Sequence, residues 1–222
     1  MPQHGFTQES FRFLDDLAEN NNRDWFHAHK ATFKTLLETP FASLLEALSN
    51  RLEDAPRPVM GSKKTMFRMN RDVRFSEDKR LYKTHVSGLL TPSGTKSEFA
   101  GICYLHLDTS GGMLAVGFYR QSPKQLAPIR KAMIERSEDF AEVLDQLNAA
   151  GLILEQSDKL TAMPRGFEAH ADHPHADYVR LKSLVCREDL TIETWISGDV
   201  IDKAEAMVRA AAPLLTFEPP GT

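Results

Sequence analysis

The chain has 222 residues, 41% of them hydrophobic and 26% charged, with a net charge of -4 and an isoelectric point near 6.1. That is enough apolar material for a full core, and it disfavours general nucleic-acid binding, which calls for a broad positive surface. No apolar run approaches the ~20 residues of a membrane span. The first residues show no basic-then-apolar leader, and two cysteines are too few for a disulfide framework, so the expected setting is cytoplasmic with Cys103 and Cys186 reduced.

In chain order, Thr7 is positioned to cap a first helix whose Phe11, Leu14 and Leu17 form one stripe. Asn20-Asn21-Asn22 makes a turn, and Asn22 caps a second helix carrying Trp25, Phe26, His29, Phe33, Leu36 and Leu37. Pro40 opens a third with Leu44, Leu45, Leu48 and Leu52. Asp24 in the second helix is a potential partner for Arg71 or Arg74. Ala55-Pro56-Arg57-Pro58 then reads as a stiff linker.

Lys63 to His85 holds eight Lys or Arg against three Asp or Glu, five positive charges in excess inside an acidic chain. Near-alternation predicts a strand over 67–75, with Phe67, Met69, Arg71, Val73 and Phe75 on one face. Ser76 should cap a short helix running to Tyr82. Downstream, 85–90 is a strand, while Pro92-Ser93-Gly94-Thr95 is a turn lacking the Gly-Lys-Ser/Thr ending of a phosphate loop. The stretches 99–108 and 113–120 alternate around Ser110-Gly111-Gly112 as a hairpin. It places Tyr104, His106 and Asp108 on one face of the first strand and Tyr119 and Arg120 at the end of the second.

Two helices follow, one after Ser122-Pro123 with Leu126, Ile129 and Met133, the other after Ser137 with Phe140, Val143, Leu144 and Leu147. The stretch 152–160 is sheet or loop, Pro164 to Phe167 is a tight turn, and 177–190 is either a short helix or a strand. Asp199 begins a last helix, and 218–222 is a polar tail. No repeat or compositional break divides the chain, so the expectation is a single α+β domain over 1–222. Its helical N-terminal part, 7–54, packs on a mainly antiparallel sheet with further helices, 59–217.

Arg68-Met69-Asn70-Arg71-Asp72-Val73-Arg74-Phe75-Ser76-Glu77-Asp78-Lys79 with Tyr82-Lys83-Thr84-His85 resembles the signature of the domain of unknown function 2461. Asn21-Asn22-Arg23-Asp24-Trp25-Phe26 with Lys30, Gly117-Phe118-Tyr119 with Leu126 and Arg130, Pro164-Arg165-Gly166-Phe167 and His173-Pro174 match it in order. The resemblance spans roughly Phe11 to Phe217 and implies a mostly bacterial, soluble α+β domain with no established activity.

Chemistry therefore rests on the residues. Guanidinium forks suit bidentate capture of phosphate or carboxylate, which makes Arg68, Asn70, Arg71, Asp72, Arg74, Lys79, Tyr82, Lys83 and His85 the candidate site for an anionic small molecule. One alternative is a metal-independent enzyme using His85 with Asp72 or Asp78 as acid and base. Another is an interaction module whose arginines are paired internally. Neither nucleophile-elbow, dinucleotide, thiol-redox nor zinc-protease motifs occur, and no cofactor or metal is expected. His170, His173 and His175 cluster with Asp172 and Asp177, yet in a proline-containing loop rather than on rigid elements.

Overall fold

The computed structural model describes residues 5–96 and 101–217. It opens with α1 (Gln8–Glu19), α2 (Arg23–Ala28) and α3 (Lys30–Phe33). A π-helical stretch, Lys34–Glu38, carries the chain into α4 (Thr39–Arg51). Phe11, Leu14 and Leu17 are buried as one stripe of α1. Asn22 caps α2 by accepting the Trp25 N–H at 3.0 Å. Pro40, four residues on, has no N–H to offer the Leu36 carbonyl, and buried Ser10 Oγ donates to it at 3.0 Å.

Strands β1 (His85–Leu90), β2 (Ile102–Asp108), β3 (Gly111–Phe118) and β4 (Leu184–Leu190) form one antiparallel sheet in chain order. The β2–β3 hairpin turns at Ser110, whose N–H and hydroxyl both donate to Asp108 Oδ1. Between β3 and β4 lie α5 (Pro123–Glu135), α6 (Ser137–Ala149) and α7 (Ala176–Val179), and after β4 come α8 (Ile192–Ser197), α9 (Val200–Ala210) and α10 (Ala212–Leu215). Ser122 caps α5 together with Gln125.

Strand alternation gives the sheet two unlike faces. Leu90, Cys103, Val116 and Cys186 form one cross-strand row, Gly88, Leu105 and Leu114 another, and these side chains point into the core beneath α4, α8 and α9. Each fully buried Leu, Val or Phe contributes about 1.5–3 kcal/mol. Gly88 allows α4 to come this close, because a Cβ there would stand 2.8 Å from Leu45 Cδ1 and 3.0 Å from a Phe41 ring carbon. Trp195 of α8 is wholly buried, edge-on to Phe6 at 5.3 Å and stacked over Phe41 at 6.1 Å.

Both outer strands meet further chain on their free sides. Beside β1, Met60 bridges Thr91 and Met66 bridges Gly88; beside β4, Leu154 bridges Cys186, and just before that strand Lys159 bridges Leu181.

Several expectations change. The stretch 67–75 is not a strand, and no helix starts at Ser76. Only Asn70 bridges Tyr82, with Arg71 N–H donating to Leu81 O and Lys83 N–H to Met69 O. An arm spanning 71–80 stands out from this short pairing, and Phe75 near its tip is 96% exposed rather than core-facing. Asp78 is the reason: its carboxylate gathers Arg71 and Arg80 instead of serving a helix start. The 177–190 stretch holds both a helix, α7, and a strand, β4, and α8 was not expected. Phe99, expected in a strand, and the 218–222 tail lie outside the described residues.

Candidate functional site

The sheet face turned away from α4, α8 and α9 is a concavity of about 640 Å³. Its floor follows from the register: Ser87 and Met113 lie in one row, whose His106 and Asp189 belong to the neighbouring hollow, Leu89, Tyr104, Ala115 and Arg187 form the next, and Ile102, Gly117 and Val185 the third. A smaller hollow of about 370 Å³ adjoins it at the His106–Asp108 end, sharing Met113 and Arg187. Phe67, Lys83 and Lys96 stand at the β1 side, and Tyr119, Arg120, Glu155 and Asp158 also line it.

Tyr104, His106 and Asp108 alternate along β2 and therefore share this face. Asp108 Oδ2 lies 3.3 Å from His106 Nε2, and the Tyr104 hydroxyl lies 3.0 Å from His106 Nδ1. With the Nε2 proton held by Asp108, Nδ1 is free to accept from the phenol, a continuous Asp–His–Tyr relay. Burial lowers the His106 pKa against the pull of Asp108, and burial raises that of Tyr104 while Ser87, hydrogen-bonded to it, pulls the other way. His85 stacks on His106 at 4.2 Å. Burial first, then His106 and Lys83, bring the His85 pKa down to about 4. Both rings are neutral at pH 7, so the relay can accept a proton there.

The residues singled out from the sequence separate into two groups. Lys83 and His85 line the concavity. Arg68 lies within electrostatic reach of Lys83: burial, then Arg68 and Lys96, lower the Lys83 pKa. Among the described residues no carboxylate lies at ion-pair distance from Arg68, Lys83 or Lys96, although Arg68 helps at longer range to lower the Asp72 pKa; Lys96 Nζ donates to Met66 O at 2.9 Å, and Lys83 Nζ sits 5.2 Å from the Phe67 ring centre.

Arg71, Asp72, Arg74 and Lys79 belong to the arm and are engaged there. Arg71 meets Asp78 at 2.6 Å, Arg74 meets Asp72 at 2.7 Å, and Lys79 donates to Val73 O. Arg80, and then Arg71, hold the Asp78 carboxyl well below the usual range. Asp24 pairs with neither Arg71 nor Arg74, and His85 meets His106 in place of Asp72 or Asp78. Asn70 is the bridge residue opposite Tyr82, whose buried ring stacks on Phe26 at 4.1 Å. Asn21 clamps the Tyr82 backbone from both sides, its Oδ1 accepting at 2.8 Å and its Nδ2 donating at 3.0 Å.

The family model described as Conserved hypothetical protein (DUF2461) matches residues 9–217. The chain belongs to the DUF2461 family. It matches no curated protein and no solved structure. In this DUF2461 chain the matched span carries all four strands and the whole described lining of the concavity.

In the histidine loop of this DUF2461 member, His173 and His175 are engaged within the fold. Buried His175 places Nε2 2.9 Å from Ser137 O and its ring edge-on to Phe140, and His173 Nδ1 accepts the His175 N–H. Among the described residues no three His, Cys, Asp or Glu converge as metal ligands. Lys96, Glu155, Asp158 and Arg187 were not singled out from the sequence, because they come from a turn, a loop and the ambiguous 177–190 stretch. Besides Lys83 and His85, the same-face spacing of Tyr104, His106 and Asp108 was the signal pointing at this face.

Proposed function

We propose that the open sheet face of this cytoplasmic protein binds a small phosphorylated or carboxylated molecule. The observation that supports it is Lys83, half-buried at the cavity wall with Arg68 and Lys96 as its charged neighbours and no acid of its own among the described residues. Gathering like charges beside a hollow is unfavourable until an anion arrives. Arg71 and Arg74 are left to shape the arm. The internal arginine pairing foreseen by the interaction-module reading is present, but that reading has no use for the concavity.

The test is calorimetry with inorganic phosphate, citrate and sugar phosphates on the wild type, Lys83→Ala and Arg71→Ala. Binding that Lys83→Ala weakens at least ten-fold and Arg71→Ala leaves within two-fold supports the reading. No binding by any of them refutes it.

The Asp108–His106–Tyr104 relay favours an enzymatic second reading, a metal-independent acid–base catalyst with the Tyr104 hydroxyl facing the ligand. Product formation from a bound compound, followed by NMR, should then vanish in Tyr104→Phe and His106→Asn while binding persists. Binding without turnover in the wild type removes this reading and leaves the first.

A further inference from the structure

A site for a bare anion would need only the cations, yet the same concavity holds a second set of features. The centre of its floor is low, because β3 contributes Ala115 and Gly117 there. Aromatic rings rise around that shelf. Phe67, 36% exposed, stands edge-on to Tyr104 at 6.2 Å, and Tyr119, 57% exposed, closes the end of β3. A low shelf between rings is a slot for a flat group.

The chain bends unfavourably to complete it. Arg120 is the one non-glycine with positive φ, 41°, among the described residues. A conformation of this kind costs on the order of 1 kcal/mol or more and recurs at ligand sites. The Ser183 hydroxyl accepts the Arg120 N–H at 2.9 Å and holds it there. The result brings the Arg120 guanidinium 5.4 Å from the Tyr119 ring centre and 4.0 Å from Asp158, which leaves Lys83 as the cation for a phosphate, with all of these on the cavity lining. At the β1 side Lys83 and Phe67 repeat the pattern at 5.2 Å. Rings paired with cations accept a planar base on the ring and a phosphate on the cation. Glu155, also on the lining, pairs with no cation among the described residues and offers an acceptor for ribose hydroxyls or an exocyclic amine.

We propose that the ligand of this face is a mononucleotide, its base stacked on the Tyr119 side of the shelf and its phosphate toward Lys83. The inference rests on the anion-binding reading above and adds the flat, aromatic part of the ligand. The volume of about 640 Å³ lies within the roughly 300–1,000 Å³ usual for small-molecule sites. A net charge of -4 argues for a single nucleotide over a strand.

The experiment is calorimetry on the full chain with AMP, GMP, CMP and UMP, ribose 5-phosphate and inorganic phosphate. At least one nucleotide should bind ten-fold or more tightly than ribose 5-phosphate. Tyr119→Ala, at an exposed position where Tm should stay unchanged, should bring that nucleotide down about ten-fold to the ribose 5-phosphate level, the loss of one stacking contact. Tyr119→Phe should retain the affinity, and Lys83→Ala should weaken nucleotide and sugar phosphate alike. Nucleotides binding no better than ribose 5-phosphate would overturn the proposal and leave the anion reading standing. Failure of every compound would sink both. A ten-residue single strand binding far more tightly than any mononucleotide would overturn the mononucleotide assignment in favour of a nucleic-acid partner.

Discussion

Arg71 Nη1 lies 2.6 Å from Asp78 Oδ2, and Arg80 Nη2 shares the same oxygen at 2.7 Å. One carboxylate thus ties both ends of the arm that the sequence reading divided between the end of a strand and the start of a helix. Asp78→Asn should release both guanidinium groups. Amide exchange across 71–80 should accelerate while the β2–β3 hairpin exchanges as before, measured by hydrogen-exchange mass spectrometry. Unchanged exchange in the arm would show that the pairing does not organise it.

Phe75 tests the same region from the apolar side. Being 96% exposed, with the Arg74 guanidinium 5.9 Å from its ring centre, it contributes little to the folded state. Phe75→Ser should alter stability by no more than about 0.5 kcal/mol in urea unfolding. A loss of several kcal/mol would place Phe75 in a core after all.

At Gly88 the expectation reverses. Gly88→Ala would drive a methyl group into Leu45 and Phe41. Overpacking of this kind costs about 1–3 kcal/mol, and urea unfolding should show it as a lower midpoint at unchanged slope.

The stacked imidazoles predict a pH dependence. His85 titrates at about 4 when folded and near 6.5 when unfolded, and His106 is displaced in the same direction. Protons bind the unfolded chain first as the solution is acidified. Stability is therefore full above about pH 6.5 and declines as pH falls toward 4, with His85 contributing at most about 3 kcal/mol. His85→Phe should keep the stack and flatten the urea midpoint between pH 6.5 and 4. An equal slope in wild type and variant would contradict this.

The N-terminal helices and the β2–β3 hairpin were legible because each element declares itself locally: a 3.6-residue stripe, an Asn cap, alternation broken by Gly-Gly. The 67–75 stretch misled through that same local logic. Its alternation is real, but the partner strand it needs is replaced by three scattered backbone hydrogen bonds, from Phe67, to Met69 and from Arg71, and an ion-paired arm. Helix α8 was missed because six residues give little periodicity, although Thr191 accepts the Thr194 N–H as a cap and Trp195 announces burial. Of the concavity, Lys83 and His85 were within reach of sequence reasoning. Tyr104, Arg120, Glu155 and Arg187 meet only through strand pairing and chain crossings, which no short window contains.

Because Met60 and Met66 run beside β1, and Leu154 and Lys159 beside β4 and the residues leading into it, the sheet has little exposed backbone with which to template another strand. Association by ladder extension, the commonest hazard for a small open sheet, is therefore restrained at both flanks. A partner molecule would have to dock through side chains, on the helices or across the concave face.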